Sequence, residues 1–245
     1  MYDETFTIVG PVDPRDPQSR PIVPYGAVAR ALAHSSFRVP HAAVHVLPVT
    51  MQTGRILLHQ RSAQMRVSPL AWDMVGGHVT FEASMPLTAA GLAQASQATA
   101  LRELREELLL TRARRPYVVP ATHVRQVGAV GALTTGLDDP RAINVEYSTL
   151  YVAAIPVDAS AAQLFELRDG GLRTWLDQDL VTWNDIVAGF ATPGGRVGDA
   201  LTRMIRHCAA DPAFAAALAE AIAWCRECAP AGDAPDPIAL THRPE

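Results

Sequence analysis

The stretch that most limits what this chain can fold into is Arg102-Glu103-Leu104-Arg105-Glu106-Glu107. On a helix, residues three and four apart share a face, so Glu103, Glu106 and Glu107 fall within about 100° of one another. Leu101, Leu104 and Leu108 take the apolar spacing on the other side, and one helix can sit on a core while presenting an acidic edge. Hard carboxylate oxygens gathered on such an edge suit Mg²⁺ or Mn²⁺, which hold phosphate oxygens while keeping some water ligands. Taken alone, the same pattern also describes a solvated Glu/Arg face tied by i, i+4 pairs.

Composition narrows the setting. The chain has 245 residues, is 49% hydrophobic and carries a net charge of −4, which allows one large domain or one domain with a helical appendage. The slight negative balance speaks against a nucleic-acid polymer as partner, because neutralising phosphates needs a basic surface. Residues 1–30 hold Asp3, Glu4, Asp13 and Asp16 and no apolar run of signal length. No stretch approaches a membrane span of about 20 apolar residues, so a cytoplasmic protein with no membrane partner is expected. All 21 basic residues are arginine, which with the abundant alanine suggests a GC-rich, bacterial genome. The three cysteines, Cys208, Cys225 and Cys228, are no disulfide framework. Cys225 and Cys228 have the spacing of a zinc pair beside His207-Cys208, but the flanks lack the turns of a zinc knuckle, and cysteine is often a small buried hydrophobe.

Along the chain, residues 1–39 read as an N-terminal extension, with Phe6 to Val9 a possible edge strand and Pro24 to His34 a short helix. Ala42 to Thr50 reads as a buried strand in which Pro48 marks an edge or a bulge, followed by a turn and a second strand over Arg55 to His59. His41 and His45 share a strand face, yet at about 3.3 Å per residue they stand roughly 13 Å apart, too far to grip one ion as a pair. Arg61 offers a guanidinium fork that could pair with a phosphate. Trp72 to Val79 forms a short strand entering Gly76-Gly77, where backbone can approach a metal or phosphate closely. Thr80 to Ala93, with Pro86 and Gly91, reads as an inserted loop, and the helix is expected from about Gln94 to Leu109. Strands are expected over Thr122 to Leu133, Asn144 to Ile155 and Leu172 to Leu176, then helices near Trp183 to Ala188, Arg196 to Cys208 and Asp211 to Cys228. The expected division is residues 40–190 as the main domain, 191–228 as helices packed on it or on a second copy, and 229–245 as a flexible tail.

Gly76-Gly77 followed by Arg102-Glu103-Leu104-Arg105-Glu106-Glu107 resembles the box of the Nudix hydrolases, a glycine, five residues, a glutamate, seven residues, then R-E-U-x-E-E-x-G-U with U aliphatic. Arg102, Glu103, Leu104, Glu106, Glu107 and Leu110 match. Arg102 stands 25 residues after Gly77 where the family has 14, Gln94 falls where counting back calls for glutamate, and Leu109 replaces the late glycine. Counting forward from Gly76, Glu82 fills the glutamate position instead. The run LLHQRS then WDMVGGHV is similar to the isopentenyl-diphosphate isomerase branch and its hydrolase relatives. That isomerase needs a cysteine in this neighbourhood, and none precedes Cys208.

The resemblance implies a Nudix α/β/α sandwich, a mixed sheet between helices, with C-terminal helices added. It implies Mg²⁺ or Mn²⁺ held by Glu103, Glu106 and Glu107, with the Gly77 backbone, or that of Gly76, contributing. Arg102 would orient the glutamates, and Glu107 or Glu146 would serve as base. The substrate would be a small molecule containing a diphosphate, a nucleoside diphosphate linked to another group or a related organic pyrophosphate. Two alternatives stay open, a nucleotide-sensing module with weakened catalysis and a biosynthetic hydrolase acting on a prenyl or sugar diphosphate. Trp72, Phe81 and Tyr147 are candidates to contact the organic part, and Asp138, Asp139 and Arg141 to contact substrate from their loop.

Overall fold

The computed structural model describes residues 5–11, 22–33, 39–61, 63, 69–112, 115–135, 144–156, 160–164, 172–174, 181–188 and 197–228. Its central strand is β3 (His41–Thr50), all ten residues of which are buried. A strand hidden on both faces reads as a near-continuous apolar run, as AAVHVLPVT does. Along one side β3 pairs in parallel with β10 (Asn144–Ile155), from His41 with Glu146 to Thr50 with Ile155, and β10 pairs antiparallel with β9 (Val124–Thr135). Along the other side Ala43–Val46 of β3 pairs antiparallel with β6 (Val75–His78). Pro48 is therefore not on an edge. Its carbonyl accepts from Leu57 N–H, so its nitrogen points the same way, away from β10 and past the last β6 pair, and no ladder bond is lost.

The first strand, β1 (Thr5–Pro11), meets β3 at Ile8 and His41 and pairs along its length with β2 (Ile22–Ala29). This replaces the helix expected over Pro24 to His34, where among the described residues only α1 (Arg30–Ala33) is helical. Ile22, Val23 and Val28 are β-branched, and the register shift between Ile8 and Val9 leaves Tyr25 as a bulge beside Pro24, where proline is tolerated. The order of the main sheet is β2-β1-β3-β10-β9 with β6 also on β3, parallel at one pair and antiparallel elsewhere.

Helices cover both faces. In α2 (Ala89–Glu107) the buried residues Gly91, Ser96, Thr99, Ala100, Glu103 and Leu104 recur at helical spacing, and Glu103 lies against Gly77. Pairing partners share a face, so Gly128, Leu150, His45 and Gly76 share one face and neighbouring Gly77 belongs to the other. Phe214 of α5 (Pro212–Glu227) packs on Gly128, which places α5 opposite α2. A mixed sheet between helices, with further C-terminal helices, is the architecture expected from sequence. Short connections complete it. The strand pair β4 (His59–Gln60) and β5 (Trp72–Asp73) precedes β6. A second sheet joins β7 (Leu108–Arg112), β8 (Arg115–Pro116), β11 (Ser160–Leu164) and β12 (Leu172–Thr174).

The helix α2 begins five residues before Gln94. Thr88 caps it by accepting from Gly91 N–H at 3.1 Å, so the later part of the expected loop is helix. It ends at Glu107, and Leu108 is extended (φ −126°, ψ 120°). Without a glycine to turn left-handed, the chain runs straight into β7. After α3 (Trp183–Val187), α4 (Asp199–Ala210) starts against β5. Gly198 N–H donates to the Trp72 carbonyl, and Asp73 Oδ1 accepts from Leu201 N–H at 3.0 Å, a helix cap supplied from 128 residues earlier in the chain. Among the described residues no single helix is long and apolar enough to cross a membrane.

Candidate active site

The C-terminal half of α2 carries the acidic edge. Arg102 lies at its centre, with Nη2 2.6 Å from Glu103 Oε1 and Nη1 2.7 Å from Glu106 Oε2; Nη2 also donates to the His78 carbonyl at 3.3 Å. One guanidinium thus ties two carboxylates of α2 to β6. Glu103 is 7% exposed and its carboxyl presses on Gly77, where a β-carbon would collide with it. Glycine is required there because the backbone and a buried carboxylate occupy the space a side chain would fill. Glu106 reaches solvent, with a side chain 54% exposed, and Glu107 is partly buried.

A second polar cluster lies on the opposite face. Glu146 pairs with His41 in register and accepts from His78 Nε2 at 3.2 Å, while His45 Nε2 stands 3.8 Å from its other oxygen. One ligand-type atom from each of His41, His78 and Glu146 lies within 4.8 Å of the others. His41 Nδ1 lies 2.8 Å from the Val39 carbonyl; donating there fixes the tautomer and leaves Nε2 as the ring's acceptor. Phe6 stacks on His78 at 4.1 Å and on His41 at 5.4 Å. Burial by itself would raise the Glu146 pKa, but the His45 and His78 imidazoles outweigh it and hold the carboxyl well below its usual range. His41 finds its neighbours across strands, in His78 of β6 and Glu146 of β10. His78 was missed in the sequence, and its signal was present, because an antiparallel β6 puts it opposite Ala43, on the face of His41 and His45.

The other candidates separate. Arg61 lies 3.7 Å from Asp73, a carboxyl that burial pushes up and that Arg61, His45 and the Met74 and Leu201 N–H groups only partly offset. Gln94 and Glu82 are both exposed, and Gln94 lies nine residues, two and a half turns, before Glu103, on the far side of the helix. Trp72, 1% exposed, belongs to the core, whereas Tyr147 is half-buried and lines a cavity. Asp138, Asp139 and Arg141 lie outside the described residues. The three cysteines are free; burial pushes the Cys225 thiol up to about 12 and Cys208 up to about 11, and His207 packs edge-on against Phe214.

That cavity, about 290 Å³, lies between the first half of α2 and strands β9 and β10, on the α2 side of the sheet. Leu92, Ser96, Gln126, Tyr147, Thr149 and Tyr151 are among its walls.

For a divalent cation the residues fit in donor type. Glu103, Glu106 and Glu107 are hard oxygen ligands one turn apart, and the bare Gly77 backbone adjoins Glu103. The three do not close into a group within 4.8 Å of one another among the described residues; His41, His78 and Glu146 do, and their two imidazoles and one carboxylate suit a softer ion.

No family model matches the sequence, and no curated protein matches it either. Solved structures do. DR0079 from Deinococcus radiodurans is 19% identical, the match covering 84% of this chain and 99% of that one, with a TM-score of 0.45. The Nudix domain of Shewanella oneidensis NrtR, crystallised with ADP ribose, is 18% identical over 69% of this chain and 86% of that one, with a TM-score of 0.38. A Nudix hydrolase from Alicyclobacillus acidocaldarius is 12% identical over 70% and 91%, with a TM-score of 0.41.

Proposed function

We propose that the chain is a Nudix-type hydrolase that cleaves a diphosphate linkage, in a nucleoside diphosphate joined to another group or a related organic pyrophosphate. The observation that carries this reading is the buried Glu103 carboxyl, packed on a glycine that only backbone can fill and bound through Arg102 to Glu106 and to β6. A solvated charge face has no reason to bury one of its glutamates.

Glu103, Glu106 and Glu107 would hold Mg²⁺ or Mn²⁺. A divalent ion there neutralises charge on the bridging phosphates and lowers the pKa of a bound water. The chain's own part is orientation. Arg102 fixes the rotamers of Glu103 and Glu106 and so limits where a phosphate can sit. Glu107, partly buried at the end of the same helix, is the candidate base for the attacking water. Glu146 is less suited to that work, because His78 and His45 engage both its oxygens; it would orient His78 or, with His41, hold a further cation. Arg61, beside Asp73, would help shape the strand pair ahead of the glycines rather than grip phosphate.

The Arg102 clamp also suits a sensing module, since an arginine already neutralises two of the carboxylates. The test is release of phosphate or nucleoside monophosphate from nucleoside diphosphate derivatives, dinucleotides, triphosphates, sugar diphosphates and prenyl diphosphates, with Mg²⁺ or Mn²⁺. A Glu106→Gln, Glu107→Gln double variant runs alongside. Metal-dependent turnover lost in the variant supports the hydrolase and its substrate class. Nucleotide binding with no turnover on any of these would replace it with the sensor.

A further inference from the structure

We infer that His78 is a positioning residue for the α2 glutamates: its imidazole, tied to Glu146 on one face of the sheet, fixes its own backbone carbonyl, which holds Arg102 and through it Glu103 and Glu106. This rests on the hydrolase reading, which gives those glutamates their work.

The strand β6 reads Val75-Gly76-Gly77-His78. Both glycines are needed where they stand, because a β-carbon on Gly76 would collide with the Val44 carbonyl and one on Gly77 with the Glu103 carboxyl. A glycine pair leaves the backbone unusually free and offers no side chain to hold it. The next side chain along is that of His78, and the carbonyl that Arg102 Nη2 reaches at 3.3 Å belongs to the same residue. The Arg102 side chain is 39% exposed, so water competes for it, and an acceptor in a fixed place decides how the guanidinium turns.

His78 is anchored from the other face. Its Nε2 lies 3.2 Å from Glu146 Oε1, and its ring stacks on Phe6 at 4.1 Å with 13° between the planes. The bond to Glu146 passes over a strand. Both β6 and β10 pair with β3, which sets them about 10 Å apart, and the small Ala43 of β3, in register with His78, leaves the two side chains room to meet. An apolar side chain would pack on Phe6 equally well; the imidazole adds a directed bond to a carboxylate on another strand. The α2 carboxylates remain when this link is cut, so a divalent ion still binds. What changes is the geometry in which Arg102 presents Glu103 and Glu106, and a reaction is sensitive to displacements of about 1 Å.

The experiment changes each end of the link in the full chain. His78→Gln keeps an N–H at the reach of the imidazole Nε2, whereas His78→Asn carries the same amide on a shorter stem; Glu146→Leu removes the acceptor. Without divalent metal, the side-chain nitrogen NMR signals of isotope-labelled arginine are recorded, Arg102 being identified by its loss in Arg102→Lys. The wild type and His78→Gln should show Arg102 restricted, with slow rotation of its guanidinium, and His78→Asn and Glu146→Leu should both release it. With Mg²⁺ and a diphosphate that the wild type cleaves, the two released variants should lose about tenfold in kcat with KM changed by less than about twofold, while His78→Gln stays within about threefold of the wild type. Phe214→Ala, a loss of packing that leaves the link in place, should lower the melting temperature without moving either readout, which separates positioning from stability. An Arg102 signal that stays restricted in His78→Asn and Glu146→Leu, or a His78→Gln as impaired as His78→Asn, would overturn the inference. Should neither of those two fold, Glu146→Gln, which keeps the shape and loses the charge, takes their place, and an unchanged Arg102 signal there overturns the inference equally. Release of Arg102 in a protein that hydrolyses no diphosphate would leave the link standing and remove the hydrolase. Turnover with an Arg102 indifferent to the link would do the reverse.

Discussion

Glu103 and Gly77 make one unit, because the carboxyl of one occupies the space beside the α-carbon of the other. Gly77→Ala should therefore displace Glu103, lower turnover by at least about tenfold and cost roughly 1–3 kcal/mol by overpacking. Steady-state kinetics and thermal melts check both; a variant with wild-type turnover would break the link between this glycine and the site. Glu146 makes a pH prediction. Its folded pKa is depressed below the ordinary value of 4.5, so its stabilisation is fully present above that value and disappears as pH falls through the lower, folded pKa. Glu146→Gln should lower stability at pH 7, because His78 and His45 lose the carboxylate that engages them, and the gap should narrow as pH falls below the ordinary carboxylate value through the depressed folded one. Melting curves at a series of pH values read this directly, and a gap constant with pH would contradict it. At this scale the sequence named Glu103, Glu106, Glu107 and Arg102 through their spacing. It could not show that Glu103 is buried or that His78 joins His41, since the first depends on α2 packing against β6 and the second on strands meeting, each across 24 residues or more.

The element that carries the box residues is α2, which starts at Ala89, five residues before the start its sequence suggested. With the helix running through Gln94 on its exposed side, Gln94→Glu should change turnover by less than about twofold, since two and a half turns of helix put the new carboxylate opposite Glu103. A large rise would mean that this part of α2 unwinds when substrate binds. Asp73→Ala tests the start of α4. It removes the acceptor for Leu201 N–H and should cost about 1–2 kcal/mol, the loss of a helix cap, measured by denaturant titration. Elements with strong local patterns were legible. The strand over Asn144–Ile155 has the boundaries its β-branched and aromatic residues suggested, and α5 departs by one residue at each end. Elements made by pairing were not. In β2 the partnership with β1 overrides a helical pattern, and β7 begins where the helix was expected to continue, because Leu108 and Leu110 find places in a sheet.

The whole molecule is a sheet with a different task on each face. The face bearing Gly77 meets α2 and the cavity; the other meets α5 and holds the histidines with Glu146. Phe214 on Gly128 anchors α5 to that second face, and Phe214→Ala should cost about 3–5 kcal/mol, as large aromatic truncations in cores do, seen as a lower denaturation midpoint at unchanged slope. This layering was legible, since one amphipathic helix, buried strands and late apolar helices have few other ways to pack. The assignment of polar clusters to opposite faces was not, because a one-residue change of register inverts it. Two clusters are candidates to hold a divalent ion, and the account's central claim is the proposal that the α2 glutamates do so. The most direct measurement is Mn²⁺ binding followed by electron paramagnetic resonance in the wild type, in Glu103→Gln with Glu106→Gln, and in His41→Ala with His78→Ala. The account expects the glutamine pair to weaken Mn²⁺ by roughly tenfold to a hundredfold and the alanine pair to leave the strongest site intact. Binding that survives in the glutamine pair and vanishes in the alanine pair would contradict it.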